Sequence, residues 1–244
     1  MKSYQLLQIG THHTNHCEDY NLVAHLSERT LLCAVMDGCT MGTDSYFAAT
    51  LVGKLLRKIA TEENYNSFYH KALPLPPATL LRAVMRQLMA ELGTLKSQLL
   101  LNQTELLSTL LLAIVDVQER TAEVLIVGDG LVCINGRLTE YEQNNIPDYL
   151  GYHLAEPFDA WYDAHPQKLS ASNVRDLSLS TDGIFTFSRL GNSATSIAPN
   201  PVAHLLIDQS HQEVDTMLLK KLLFLQQQCG LVPTDDLGIV RLIG

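Results

Sequence analysis

Positive charge is scarce in this chain. Seventeen Lys and Arg stand against 26 Asp and Glu in 244 residues, a net charge of −9. A field of that sign repels phosphate backbones and anionic headgroups, which excludes free nucleic acid and acidic membrane surfaces as natural ligands. Between Lys2 and Arg29 there is no Lys or Arg at all. Membrane-length apolar runs are missing as well. The run Leu106 to Val117 is interrupted by Ser108, Thr109 and Asp116 and falls short of the ~20 residues a spanning helix needs. Met1 to Gly10 carries one Lys and no long apolar stretch, so neither a secretory signal nor an anchor is expected there. The five cysteines, Cys17, Cys33, Cys39, Cys133 and Cys229, are odd in number and lack framework spacing. Reduced thiols in a cytoplasm follow. There is no internal repeat, no low-complexity tract and no linker that divides the chain, so one domain over residues 1–244 is expected. What the chain does have is 46% hydrophobic against 18% charged residues, ample material for a large core.

Ser3 to Ile9 and Tyr20 to Leu26 have the pattern of short strands around a polar loop, Gly10 to Asp19. Leu31 to Met36 is continuously apolar, which fits a strand buried on both faces. From Ser45 the period changes: Phe47, Ala48, Leu51, Val52, Leu55 and Ile59 recur at helical spacing. Asn64 to Pro77, rich in Asn and Pro, predicts a connection. Leu81, Val84, Met85, Leu88, Leu92 and Leu95 mark a second helix, with Pro77 in its first turn. Arg82, Arg86 and Lys96 are expected on its solvated face. Strands follow over Leu106 to Val117, Ala122 to Val127, Leu131 to Asn135 and Arg137 to Tyr141. Asn135-Gly136 between the last two is a hairpin signal, because both residues tolerate positive φ. Glu142 to Asn173, with Pro147, Pro157, Pro166 and the single Trp161, predicts loops and one or two strands. Val174 to Ser180 alternates as a strand. Helices over Pro201 to Ile207 and Asp215 to Gln227 and a last strand, Leu237 to Ile243, complete an α+β pattern.

The acids fall at strand ends. Asp37 ends one apolar strand and Asp182 another, each followed by Gly. Asp235-Asp236 open a third and Glu18-Asp19 precede a fourth. Asp129 sits in the break Gly128-Asp129-Gly130. A lone Asp beside Gly commonly makes a turn; five such positions beside buried strands point instead to a shared rim. Carboxylates crowded together need a cation to stay ionised. Oxygen donors without His or Cys favour Mg²⁺ or Mn²⁺ over Zn²⁺. Two such ions polarise a phosphoryl group and activate water, so phosphoester hydrolysis is the chemistry these residues suggest. His12-His13-x-x-His16-Cys17 has zinc-ligand residue types. Consecutive ligands strain a tetrahedron, however, and no partner pair follows, so a solvated loop beside the acids is favoured.

Cys17-Glu18-Asp19, Asp37-Gly38-x-x-x-Gly42, Ser108-Thr109, Gly128-Asp129-Gly130, Thr181-Asp182-Gly183 and Thr234-Asp235-Asp236 occur in the order and rough spacing of one family. On these segments, from about Gly10 to the C-terminus, the chain resembles the type 2C metal-dependent Ser/Thr protein phosphatases (PPM-like). The resemblance implies a four-layer α-β-β-α sandwich, two antiparallel sheets flanked by helix pairs, with two Mn²⁺ or Mg²⁺ ions at one end. It implies that Asp37 bridges both ions, that Glu18 and the Gly38 carbonyl complete one, and that Asp182 and Asp235 hold the other. Asp19 would hydrogen-bond metal-bound water, and Asp129 would join Asp182 in a weaker third site. A bridging hydroxide would attack phosphorus in line, without a phosphoenzyme. Catalytic roles thus fall to Asp37, Asp182 and Asp19. The motif register favours Asp235 over Asp236 as ligand and leaves both open. The implied partners are a phosphorylated protein substrate and a cognate Ser/Thr kinase in a bacterial-type cytoplasmic pathway.

Two departures from the family pattern stand out. The phosphate-binding Arg expected five residues before Asp19 is replaced by Thr14. A single hydroxyl in place of a bidentate guanidinium costs about 1–3 kcal/mol unless another donor reaches in; His12, His13 or His16 would be that donor if protonated. Thr14 and His16 are accordingly the substrate-binding candidates. Cys39 stands where a His or Met follows Asp-Gly in relatives, and an ordinary thiol is a poor proton donor to a leaving group. A position beside the metals would also expose it to oxidation. The alternative reading is a pseudophosphatase, which binds a phosphoprotein or kinase without turnover.

Overall fold

A computed structural model of the protein describes residues 1–42, 44–70, 75–143, 147–190 and 198–244. Two five-stranded antiparallel sheets lie face to face. The first contains β1 (Lys2–Gln8), β6 (Gly130–Ile134), β7 (Arg137–Tyr141), β9 (Asp176–Ser180) and β12 (Leu237–Ile243) in the order β1-β12-β9-β6-β7. The second contains β2 (Tyr20–His25), β3 (Thr30–Met36), β4 (Leu110–Asp116), β5 (Thr121–Val127) and β8 (Lys168–Ala171) in chain order. Two three-residue strands, β10 (Phe187–Arg189) and β11 (Leu231–Pro233), form a separate ribbon. Helices α1 (Ser45–His70) and α2 (Pro77–Gln98) cover the second sheet, α4 (Pro201–Leu206) and α5 (Met217–Cys229) the first, and α3 (Phe158–Ala164) packs beside α2. This is the α-β-β-α sandwich expected from the sequence.

β3 is buried at every residue because it has no solvent face. Leu32, Ala34 and Met36 face α1 and α2, while Leu31, Cys33 and Val35 face the opposing sheet. The period-2 geometry of a strand thus turns one apolar run into parts of two cores. α1 is amphipathic only at first: Ala49, Val52, Leu56 and Ile59 lie on the sheet, and nothing beyond Ala60 is buried among its described side chains. Asn135 (φ 52°) and Gly136 (φ 81°) make the expected tight turn between β6 and β7. Among the described residues no helix is long and apolar enough to cross a membrane.

The structure corrects the sequence expectations in several places. α1 continues to His70, through half of the expected connection, because neither Gly nor Pro interrupts the chain between Gly53 and Pro74; residues 71–74 lie outside the described set. The strand expected from Leu106 begins at Leu110, after a 3₁₀ turn over Gln103–Leu106, and that expected from Val174 begins at Asp176. The Pro-rich stretch holds α3, whose Trp161 and Tyr162 are buried against the helix layer; its residues 144–146 are not described. β10 and β11 escaped notice because three residues carry no periodicity. Arg82 and Arg86 are not merely solvated: Arg82 contacts Asp159 and Asp163 at 2.5 Å each, Arg86 contacts Asp159 at 2.5 Å, and the two guanidinium groups lie over Tyr162 (5.0 Å) and Phe158 (4.5 Å).

Candidate active site

Strand register brings the acids to one rim. Tyr20 pairs with Met36, so Asp19 and Asp37 leave adjacent strand ends side by side. Leu110 pairs with Val127, placing Thr109 against Gly128-Asp129. Ser180 pairs with both Leu131 and Ile239, which sets Asp182, Asp129 and the Asp235-Asp236 pair around the same end of the first sheet. Each sheet therefore delivers acids to the same end of the sandwich.

Two threonines hold this arrangement. The Thr109 N–H donates to the Asp37 carbonyl (2.9 Å), and the Asp37 N–H donates to Thr109 Oγ1 (3.2 Å). Thr181 Oγ1 donates to Asp19 Oδ2 (2.7 Å) and accepts the Gly238 N–H (2.9 Å). The Asp19 carboxylate is thereby fixed while its Oδ1, buried, has no hydrogen-bond partner. Glu18 is buried beneath α1, where its carboxylate accepts hydrogen bonds from Ser45 Oγ (2.5 Å) and Thr40 Oγ1 (3.0 Å). The Gly38 N–H donates to the Glu18 carbonyl (3.1 Å).

Crowding shifts the carboxyls upward. Burial, then the neighbouring charges of Asp19, Asp182 and Asp235, holds Asp37 well above the usual carboxylate range. Burial raises Asp19 to about 7 against the hydrogen bond from Thr181, with Asp236 and Asp182 adding to the rise. Asp182 is raised to about 6, by burial and then by Asp129 and Asp235, and burial with Glu142 raises Asp129. Asp19 and Asp37 lie close enough for each to act on the other's ionisation. Among the described residues no Lys or Arg pairs with Asp19, Asp37, Asp129, Asp182 or Asp235. Nor do three His, Cys, Asp or Glu side chains there already close on one point as a metal cage.

The two C-terminal acids separate by contact. Asp236 is buried and accepts the N–H groups of Gly10 (2.7 Å) and Glu18 (2.5 Å), and His13 Nδ1 lies 2.9 Å from it. The Asp235 side chain is 48% exposed and acts on Asp37 and Asp182 through its charge.

The substrate-binding candidates stand further out. Thr14 is exposed, and His16 stacks on Tyr46 at the start of α1 with ring centroids 4.3 Å apart. His13, not His16, is the imidazole that reaches the acids. Burial pulls it down, but Asp236, Glu18 and Asp235 outweigh that and hold it above the usual histidine range. With Cys17 Sγ turned to the Gln8 carbonyl, the His-Cys segment disperses. Cys39 is buried in a small cluster with Leu107 and Tyr149, so the expected oxidation-prone position is a covered one. Sequence reasoning missed the roles of His13, Asp236, Thr109 and Thr181. The threonines lie inside quoted motifs, and the three-histidine loop before Glu18 was the only signal for the first.

The family model described as Protein phosphatase 2C matches residues 9–222. No curated protein matches the chain. Among solved structures, a bacterial serine phosphatase point mutant superposes with a TM-score of 0.65 at 14% identity, covering 100% of this chain and 98% of the other. Serine/threonine phosphatase Stp1 from Staphylococcus aureus gives 0.63 at 13% identity, over 100% and 95%. RsbX in complex with magnesium gives 0.52 at 15%, over 98% and 92%. At such identities the likeness is one of fold. Matched from residue 9 to residue 222 and built on the same sandwich as these enzymes, the chain belongs to the protein phosphatase 2C family.

Proposed function

We propose that this chain, as one domain over residues 1–244, hydrolyses phosphoserine or phosphothreonine in a cytoplasmic partner protein, with Mn²⁺ or Mg²⁺ as cofactor and a Ser/Thr kinase as its counterpart. One observation carries the reading: carboxyls from both sheets meet at one rim where, among the described residues, no Lys or Arg pairs with them, and a buried Asp19 oxygen there lacks a partner. An all-oxygen donor set of this kind suits a hard divalent cation, and the magnesium complex of RsbX supports that choice.

Asp37 would bridge two ions. Glu18 and the Gly38 carbonyl would serve one of them and Asp182 with Asp235 the other, while Asp129 with Asp182 would take a weaker third. The half-exposed Asp235 suits that role better than Asp236, whose oxygens are already engaged. Two ions bound there supply charge neutralisation at the phosphoryl group and a water activated for in-line attack. The protein's own part is placement. Thr109 fixes the backbone of Asp37, Thr181 aims Asp19, and Ser45 with Thr40 orients Glu18. Thr14 and His16, on the loop over the rim, would meet the substrate phosphate.

Hydrolysis of p-nitrophenyl phosphate with Mn²⁺, with Mg²⁺ and with EDTA, beside Asp182→Asn, tests this. Metal-dependent turnover lost in the variant is expected. The pseudophosphatase reading is favoured by one feature, Thr14 in place of the family's phosphate-binding Arg. Folded protein that binds Mn²⁺ without turnover would establish it, and protein that does neither would overturn both readings.

A further inference from the structure

α1 overhangs its sheet. Its described side chains from Thr61 onward are not buried, yet they include Tyr65, Phe68 and Tyr69, which are 61%, 70% and 60% exposed. Spacings of i, i+3 and i+4 put the three on one helix face. The Tyr65 and Tyr69 rings lie 4.3 Å apart, and Phe68 meets Tyr69 edge-on at 5.3 Å. With His25, Ser27 and Glu28 from the β2–β3 turn they line a groove of about 500 Å³. Twenty residues of helix, roughly 30 Å at 1.5 Å per residue, separate Tyr65 from Ser45 at the acidic rim.

The groove's lining holds one acid, Glu28, and no Lys or Arg among the described residues. Thr61 to Tyr69 holds Glu62 and Glu63 and no Lys or Arg, and Glu28 is exposed on the facing wall. Among the described residues, Arg29 pairs with Asp116 at 2.6 Å, Lys58 with Glu91 at 2.8 Å and Glu62 at 3.5 Å, and Arg57 donates to the Tyr20 hydroxyl at 2.8 Å; Lys71 lies outside the described residues. Elsewhere this molecule completes the same combination. Arg82 and Arg86 lie over Tyr162 and Phe158 while bonded to Asp159 and Asp163. The groove has the aromatic faces of that latch and one acid, Glu28, without the guanidinium.

We propose that this groove is a docking surface for an arginine-bearing basic segment of a partner protein, whose guanidinium groups lie over Tyr65, Phe68 and Tyr69 and pair with Glu28. Cation–π contact favours Arg at such faces. The chain's net charge of −9 assists encounter with a basic segment and opposes docking of an acidic one. The surface is independent of the chemistry assigned to the carboxylate rim.

The test is fluorescence anisotropy of a labelled peptide with six Arg-Gly repeats against the full chain in ~150 mM salt with saturating Mg²⁺. Peptides of Lys-Gly, Glu-Gly and Leu-Gly repeats serve as controls. Saturable binding in the order Arg, then Lys, with none for Glu, is expected. Tyr65→Ala/Phe68→Ala/Tyr69→Ala should weaken it at least tenfold, Glu28→Arg severalfold, and Tyr65→Phe/Tyr69→Phe little. An unchanged melting curve and unchanged p-nitrophenyl phosphate hydrolysis would show the triple variant folded. Should that variant misfold, Glu28→Arg and the Phe variant still decide. Equal binding by wild type and triple variant would reduce the effect to diffuse charge and overturn the proposal. Preference for the Leu peptide, or self-association abolished by the triple variant, would overturn it in favour of an apolar ligand or a second copy.

Discussion

A Cβ on Gly38 would stand 2.0 Å from the Ser45 carbonyl oxygen and 2.9 Å from that of Glu18, and one on Gly183 would stand 1.8 Å from the Asp236 carbonyl oxygen. The Gly of each Asp-Gly pair is therefore required by space: backbone from another segment passes where a side chain would begin. Gly38→Ala should cost about 1–3 kcal/mol, as overpacking does, and should weaken Mn²⁺ binding because Asp37 and Glu18 move with it. Calorimetric melting and titration would check both, and an unchanged metal affinity would detach Gly38 from the site. Thr14→Arg tests the opposite direction. A charge-assisted grip on phosphate is worth about 1.5–3 kcal/mol, so kcat/KM for a phosphopeptide should rise about 10- to 150-fold. No change would mean that the exposed loop does not reach the phosphate. At this scale the sequence revealed the acids, because each interrupts an apolar run. It hid what the neighbours do. Nothing in Thr109 or Thr181 distinguishes a side chain that anchors a backbone from one that aims a carboxylate, and only contacts separate Asp236 from Asp235.

Among the elements, β12 was legible to the residue, since an apolar run after two acids has one reading. The overhang of α1 was not, because a helix that buries nothing leaves no periodic signature. Nor was the way α4 ends. Arg241, wholly buried on β12, forms a two-contact pair with Asp176 (3.1 and 2.6 Å) and donates to the carbonyls of Leu205, Ile207 and Asp208. Lys221, also buried, donates to those of His204 (2.9 Å) and Asp208 (2.6 Å). Two cations thus satisfy the carbonyls that a helix terminus leaves open. Removing one member of a buried pair strands the other's charge, so Arg241→Ala should destabilise by about 3–5 kcal/mol. Arg241→Ala/Asp176→Ala should cost less than the single changes predict by addition. A double-mutant cycle in urea decides it, and strict additivity would show that the pair is not coupled.

For the whole molecule, the sandwich concentrates opposite tasks at its extremities, and the acidic end works against folding. Asp19 and Asp182 have folded-state pKa values raised to about 7 and about 6 from 3.8, with Asp37 and Asp129 shifted the same way. A carboxyl raised on folding binds more protons in the folded chain than in the unfolded one. Stability therefore falls with rising pH across the interval between the two values, here from about pH 4 to pH 7. His165 and His204 are lowered by burial, and His165 less so for its bond to the Ile126 carbonyl. They act with the opposite sign, since their unfolded forms take up the extra proton as pH drops below about 6.5. In EDTA the melting temperature should accordingly pass through a maximum on the acid side of neutrality and decline towards pH 8. Saturating Mn²⁺ or Mg²⁺ would displace the protons that these raised carboxyls hold and compensate the resulting charges. The decline should then vanish, and the gap between metal-loaded and metal-free melting temperatures should widen steadily from pH 5 to pH 8. Asp182→Asn removes one of the repelling charges, so it should raise the metal-free melting temperature at pH 8 while narrowing the gap. A gap of constant width, or a metal-free protein most stable at pH 8, would mean that the rim does not hold its acids against their own repulsion, and the reason for placing cations there would go with it.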